Sequence, residues 1–381
     1  MTDCAFDKVL SRNVPHIHEE IFFSLDYDSY KKCYEVNSTW KELIASEPFQ
    51  KRAKYIFLDW QKTDKKNERK LLEFAENGND EEVESLLLIG TNPNCQTGRV
   101  ASYEGGKTPL HWAAINNRIN MVTLLLRAEA DPNIPDMHCE TALFEAISNN
   151  EMVKVLLEGG ANPNCANDSG ETPLYLAARY NQIDVVKVLL KNGADPNMAD
   201  FNGGTPLSEA SWKGQNDMVT VLLEAGAELD CEDDNDRTPL YWAAVNGHIN
   251  VAKILLDARA ESNITDTHGE TLLNEVAAKG HTDMVRLLLK SGTDLNLADV
   301  CGKTPLHWAA MEGQSDMIKV LLSESLEPNT ADNEGKTPLY WAVCNGHKDA
   351  VYLLLKAGVE YNTPDNNGRT PLYWASICGF I

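Results

Sequence analysis

The sequence predicts an all-α fold built as a solenoid of helix-turn-helix-loop units, and three observations predict it. The phrase Gly302-Lys303-Thr304-Pro305-Leu306-His307-Trp308-Ala309-Ala310 keeps returning, anchored on Thr108, Thr141, Thr172, Thr205, Thr238, Thr271, Thr304, Thr337 and Thr370. Neighbouring anchors lie 33 residues apart, except for a step of 31 after Thr141. Each phrase is followed by an apolar run and then a turn-forming tail, so every period contains the same parts in the same order. A fixed period of this size marks units that cannot bury their apolar face alone and must stack on their neighbours.

Within one unit the residue types dictate the elements in order. Thr304-Pro305 reads as an N-cap followed by a proline at the first helical position, where its missing N–H costs nothing. Leu306, Ala309 and Ala310 put an apolar stripe on a short first helix, and the alanines let the neighbouring backbone come close. Gly313 supplies a tight turn. Met317, Ile318, Leu321 and Leu322 recur at helical spacing as the buried face of a second, antiparallel helix. Pro328-Asn329 and Asp332-Asn333-Glu334-Gly335 are turn chemistry, which predicts a hairpin-like loop leading into the next unit.

The phrase Lys-Thr-Pro-Leu-His-Trp-Ala-Ala at Lys107 to Ala114 and again at Lys303 to Ala310, with Gly193-Ala194-Asp195-Pro196-Asn197, resembles the ankyrin repeat. Leu110, Leu143, Leu174, Leu207, Leu240, Leu273, Leu306, Leu339 and Leu372 hold one position in all the phrases. Ala142 and Leu272 replace the proline, and the unit starting at Thr141 has lost two residues, assigned to its inter-helix turn. The resemblance implies that first helices and loop tips line a groove for a protein partner. On that face falls the column Trp112, Glu145, Leu176, Glu209, Trp242, Glu275, Trp308, Trp341 and Trp374. Tryptophan is favoured at binding hot spots and carboxylates suit a partner bearing Lys or Arg, which makes Trp112, Glu145, Glu209, Trp242, Glu275, Trp308, Trp341 and Trp374 candidate groove residues. The alternative is that each indole packs as core between first helices, whereas a position holding Glu145, Glu209 and Glu275 must reach water.

Upstream of the array the period is absent. Val14-Pro15, Ile17, Ile21-Phe22, Leu25-Asp26, Cys33, Val36, Trp40 and Leu43 fall at helical spacings around a turn-prone Asp26-Tyr27-Asp28-Ser29, which predicts two or three short amphipathic helices. Leu25-Asp26, Val36, Trp40 and Leu43, followed by Ser46-Glu47-Pro48, resemble the F-box. The opening departs from that pattern, since Val14 replaces its leucine and Pro15 sits one residue closer to Ile21-Phe22. The resemblance implies a Skp-type adaptor of a cullin-RING ubiquitin ligase as partner, with Pro15, Ile17, Ile21, Phe22, Leu25 and Val36 on the adaptor-facing surface. The alternative is a helical cap on the first repeat's exposed flank.

The expected organisation is an N-terminal tail over 1–13, an F-box-like helical module over 14–56, a linker over 57–68, and an array over 69–381 of nine full units and a partial tenth. The charged run Gln61 to Asn67 reads as a solvated linker or an exposed helix. Leu71, Leu72, Ala75, Gly78, Val83 and Leu86 to Leu88 form a first repeat without the Thr-Pro opening. The step from Ala75 to Ala114 is 39 residues, so six extra residues fall in the loop from Gly98 to Gly106, expected to be a mobile protrusion. After Thr370 only a first helix remains before Ile381, which predicts either a fragment or an end covered by a partner.

Composition bounds the function. There is no apolar run long enough to span a membrane and no secretory signal, so the expectation is a soluble protein of the cytoplasm or nucleus. Nine cysteines are scattered singly, which favours reduced thiols over a disulfide framework or a zinc site. Residues 1–66 hold 11 acids and 11 bases, so the whole net charge of −23 falls on the rest, 46 acids against 23 bases. Nucleic acid, which needs a basic footprint, is an unsuitable partner, and a basic protein segment is favoured, although acidity is also an ordinary route to solubility. His111 and His307 share their position with Tyr175, Tyr241, Tyr340 and Tyr373, an interchange that fits packing better than catalysis, while His248, His281 and His347 read as exposed turn residues. No phosphate loop, metal-spaced cluster, cofactor motif or nucleophile-base set emerges, so no active site is expected. The expected function is target recruitment to an SCF-type ubiquitin ligase, the competing one a scaffold with no ubiquitin role.

Overall fold

The computed structural model describes residues 64–98, 105–324 and 327–377. Pro15, Ile17, Ile21, Phe22, Leu25 and Val36 of the expected F-box-like module lie outside the described residues, as do residues 99–104 of the loop expected to protrude. Among the described residues every regular element is a helix, and the β contact is an isolated antiparallel bridge between Thr265 and Thr271. The chain divides into two compact units, Met1–Cys95 and Gln96–Ile381.

In the first unit a helix over residues 64–77 pairs with the helix Asp80–Leu88. The chain reverses at Gly78, whose φ of +78° suits glycine. Leu71, Ala75 and Val83 are fully buried. The helix takes in residues 64–67, part of the stretch for which linker and exposed helix were both open.

The second unit is a run of helix pairs: Pro109–Ile115 with Ile119–Arg127, Ala142–Glu145 with Asn150–Glu158, Pro173–Arg179 with Ile183–Lys191, and Pro206–Trp212 with Asn216–Glu224. It continues with Pro239–Val245 and Ile249–Asp257, Leu272–Ala278 and Thr282–Lys290, Pro305–Met311 and Ser315–Ser323, and Pro338–Cys344 and Lys348–Lys356, then the helix Pro371–Ile377. First helices pack on first helices of the adjacent repeats and second helices on second helices, as a solenoid requires. The anchor threonines start the first helices as predicted: the hydroxyls of Thr172, Thr238 and Thr337 accept the backbone N–H of Tyr175, Tyr241 and Tyr340. The core is continuous, with Leu207, Met218, Val219 and Leu222 fully buried in one repeat and Leu306, Ala309, Met317 and Leu321 in another. Each such leucine contributes about 2 kcal/mol by burial. In the helix Pro371–Ile377, by contrast, Leu372, Tyr373 and Ile377 are exposed.

Two expectations are corrected. The two residues missing from the Thr141 repeat shorten its first helix, which has 4 residues where the others have 7. Phe144 N–H bonds the Thr141 carbonyl and Ala146 N–H the Leu143 carbonyl, the tighter i to i−3 pattern, so the helix closes early rather than the turn alone contracting. Asn149 compensates by accepting the amides of Glu151 and Met152 at the start of the second helix. The turn histidines are half-buried joints rather than free surface residues. His248 Nε2–H donates to the Trp212 carbonyl at 2.9 Å and His347 Nε2–H to the Met311 carbonyl at 2.8 Å, each reaching back one repeat. A Cβ on Gly214 or Gly313 would lie 2.5 Å from these rings, so the turn glycine is a socket for the following histidine as well as a source of positive φ.

A further ladder joins the hairpin loops. Asn133 Oδ1 accepts the Asn162 amide, Asn164 Oδ1 the Asp195 amide, and Asn197 Oδ1 the Glu228 amide, all at 2.7–2.9 Å.

Candidate functional site

The candidate face is built from the first helices and the loop that enters each of them. From the Thr141 repeat onward the residue five before the anchor threonine, an aspartate in all but the Thr172 repeat, where Asn167 takes the place, closes the turn on itself. Asp233 Oδ1 accepts the amides of Asn235 and Arg237, and Asp299 Oδ1 those of Cys301 and Lys303. The second carboxylate oxygen then faces the column. Trp242, Trp308 and Trp341 donate their indole N–H to Asp233, Asp299 and Asp332 at 3.0, 2.9 and 3.0 Å. The indoles are therefore oriented by their own loops. Trp112 is buried, while Trp242, Trp308, Trp341 and Trp374 are half-buried, an intermediate between core and free anchor. Tyr340 lies edge-on to both Trp341 and Trp374, at 5.7 and 5.9 Å between ring centroids.

In five repeats the residue just before the anchor threonine, Lys107, Arg237, Lys303, Lys336 or Arg369, supplies a cation to this face. Lys303 Nζ lies 5.2 Å from the Trp308 ring and 4.9 Å from the Trp341 ring, and Lys336 Nζ lies 4.8 Å from Trp341, so that indole is held between two ammonium groups. Arg237 and Arg369 stand over Trp242 and Trp374. Lys107 reaches into the following repeat, where its ammonium pairs with Asp136 at 3.1 Å and with Glu145. Burial lowers the Lys107 pKa, and the bonds and charges of Glu145 and Asp136 more than offset it, so it is raised. Asp136, Glu140 and Glu145 gather their oxygens within 4.8 Å of one another, and this ammonium answers their charge. Burial, with Asp136 and Glu145 nearby, pushes the Glu140 carboxyl upward.

The three column glutamates are engaged in the same way, with side chains 23%, 10% and 31% exposed for Glu145, Glu209 and Glu275. Glu209 meets Arg179 at 3.1 Å, the Tyr175 hydroxyl at 3.4 Å and Lys213 at 3.7 Å. Arg179 also pairs with Glu171 at 2.6 Å. Burial lowers the Arg179 pKa, but Glu171 and Glu209 raise it further. Glu275 pairs with Lys279 at 3.8 Å.

The histidines on this face are structural. The Thr108 N–H donates to His111 Nδ1 at 3.1 Å, which leaves the other nitrogen protonated, and Nε2–H donates to the Glu140 carbonyl at 3.0 Å in the next repeat. His307 repeats the arrangement with Thr304 and Lys336, at 3.0 and 3.1 Å. Burial pushes both imidazoles below their ordinary pKa, so both stay neutral. Cys95 and Cys231 are free thiols pushed up by burial to about 12 and about 11, the opposite of what an activated nucleophile needs.

An open cleft of about 260 Å³ interrupts this face at the Thr205 repeat. Asp200, Gly204, Glu209, Trp212, Asp233 and Trp242 line it. The loop aspartates escaped notice in the sequence as anything but turn formers; the signal was their strict spacing ahead of the threonines. Among the described residues no helix is long and apolar enough to cross a membrane.

The family model described as ankyrin repeats (three copies) matches residues 41–136, 135–200, 192–267, 258–332 and 324–381. The chain is similar to the E3 ubiquitin-protein ligase KEG of Arabidopsis thaliana, 33% identical over 98 residues, 25% of this chain and 6% of that protein. It is similar to the putative ankyrin repeat protein FPV222 of fowlpox virus, 29% identical over 112 residues, 28% of this chain and 14% of that protein. The human ankyrin repeat and SOCS box protein 3 is 32% identical over 139 residues, 27% of each chain. The chain thus spans about a quarter or less of the length of these relatives.

Proposed function

Because the chain belongs to the ankyrin repeat family, whose stacked repeats bind other proteins, we propose that it is the substrate-recognition subunit of an SCF-type ubiquitin ligase. The array holds the target and residues 14–56 hold a Skp-type adaptor. The observation that carries this reading is the run Leu25-Asp26, Val36, Trp40 and Leu43, an F-box-like spacing directly upstream of an interaction array. Two of the matched relatives are named as an E3 ubiquitin-protein ligase and a SOCS box protein, which supports a ligase setting. Pro15, Ile17, Ile21, Phe22, Leu25 and Val36 form the proposed adaptor-facing set. The proposed target-facing set is Trp112, Glu145, Glu209, Trp242, Glu275, Trp308, Trp341 and Trp374, a column of aromatic rings and carboxylates suited to a basic segment of the target.

The test is direct binding of the full chain to a purified Skp adaptor. Wild type is expected to co-purify with it, and Leu25→Asp with Trp40→Ala is expected to abolish the complex while leaving the helical circular dichroism of the array unchanged. A wild-type chain that does not bind any Skp adaptor removes the ligase reading and leaves a scaffold.

A further inference from the structure

Three repeats carry an acid at both the loop position and the column position: Asp136 with Glu145, Asp200 with Glu209, and Asp266 with Glu275. The repeat before the first of these sends Lys107 onto Asp136 and Glu145, and the repeat before the third sends Arg237 onto Asp266 at 3.2 Å. For the middle pair the equivalent residue is Glu171, which has the wrong sign. Arg179 and Lys213 reach Glu209, but among the described residues no cation lies within ion-pair distance of Asp200.

The next position along compounds the gap. The residue before Thr205 is Gly204, where five other repeats place Lys107, Arg237, Lys303, Lys336 or Arg369, so this position offers Asp233 and Trp242 no side chain from the preceding repeat. Asp136, Asp266, Asp332 and Asp365, each preceded one repeat earlier by Lys107, Arg237, Lys303 or Lys336, are buried, and Asp299 is buried beside Glu270, whereas Asp200 and Asp233, which follow Glu171 and Gly204, are only half-buried. The cleft of about 260 Å³ lies at this spot. Its sides are the Trp212 ring, 46% exposed, and the Trp242 ring, whose indole N–H is fixed on Asp233. The Tyr175 hydroxyl, held protonated by burial and by Glu209 and Asp200, faces the same carboxylates.

We infer that this cleft is a socket for an arginine side chain of a partner protein, which completes from outside the ion pair that Lys107 and Arg237 complete from inside elsewhere in the array. A guanidinium suits it better than an ammonium, because it is planar, bonds a carboxylate through two N–H groups and stacks on indoles. Asp200 is the principal acceptor, and Trp212 and Trp242 are the stacking faces. This inference rests on the array being the target-holding part of the protein and names the chemistry by which it holds.

The experiment uses the 15N-labelled full chain and follows its tryptophan indole N–H resonances during titration with acetyl-Gly-Gly-Arg-Gly-Gly-amide, and with the lysine and citrulline versions of that peptide. The arginine peptide is expected to shift Trp212 and Trp242 saturably, the lysine peptide more weakly, and the neutral citrulline peptide not at all. Gly204→Lys, which restores the cation that other repeats supply, and Asp200→Asn, which keeps the Oδ1 cap of the loop, are each expected to weaken binding about tenfold or more. Asn246→Lys adds the same charge at an exposed turn outside the cleft and is expected to leave binding unchanged. Citrulline binding as well as arginine, lysine binding more tightly, Gly204→Lys behaving as wild type, or Asn246→Lys weakening binding equally would each overturn the assignment. Loss of Skp binding would leave these titrations unaffected, so failure of the ligase reading and failure of the socket are separable.

Discussion

At the scale of single residues, the buried polar groups have definite electrostatic consequences. His111 and His307 each accept a backbone N–H on Nδ1 and are pushed below their ordinary pKa by burial. Above their ordinary value of about 6.5 both folded and unfolded chains hold them neutral; as pH falls through it the unfolded chain takes up protons that the folded chain refuses, so stability is lost on the acid side. Urea unfolding at neutral and at mildly acidic pH is expected to show that loss, and to show less of it in a His111→Tyr, His307→Tyr variant, which places there the residue found in four other repeats. An equal loss in the variant would mean that other groups carry the acid sensitivity. Lys107 gives the sharpest single-residue effect. Lys107→Met leaves Asp136, fully buried, and Glu145 without their cation, and a cost of about 3 kcal/mol in the urea midpoint analysis is expected, partly recovered by adding Asp136→Asn.

At the scale of elements, what joins one repeat to the next is as specific as what forms each helix. Gly313 has a φ of +67°, and its turn accepts the ring of His347. Gly313→Ala forces both a strained backbone and a clash, and a cost of about 1–3 kcal/mol is expected. His347→Ala alone loses one hydrogen bond, about 1 kcal/mol. The double variant should cost less than the two together, because removing the ring relieves the clash; full additivity would show that ring and turn do not meet. The helices themselves were legible in the sequence, because threonine caps, prolines and the leucine at a fixed register act locally. The joints were not. His347 and Met311 are far apart in the chain and meet only when two repeats stack, so a histidine after a glycine looked like a solvated turn. The short helix Ala142–Glu145 was likewise hidden, since a missing pair of residues has no position until the hydrogen bonds are drawn.

For the stacked unit as a whole, the period carried the architecture, and the candidate site was legible only in part. The column of tryptophans and glutamates could be read off by alignment of the repeats, yet its chemistry could not. Trp308 and Asp299 are nine residues apart and face each other only after the loop closes, and Gly204 becomes informative only once Lys107 is seen seated on the next repeat. Because each repeat contacts its two neighbours, stability is expected to behave as a chain of local terms rather than a single block. Leu207→Ala, at a fully buried position in a central repeat, should cost about 2–5 kcal/mol and split urea unfolding into two transitions. Hydrogen exchange should then be fastest in the Pro206–Trp212 and Asn216–Glu224 helices and remain slow in Pro305–Met311. A single uniform transition would show the stack to be more cooperative than its contacts imply.

The pairing of Gly214 with His248, Gly247 with His281 and Gly313 with His347 bears on how such a chain can lengthen. A segment running from one of these glycines to the next carries a receptacle at one end and the matching plug at the other, so a tandem duplication in this stretch would meet flanks that already fit it. At Ala142–Glu145, which has lost residues and has no glycine at that turn, the joint is made instead by Asn149 on Asn117, so a copied segment would not find the same fit there.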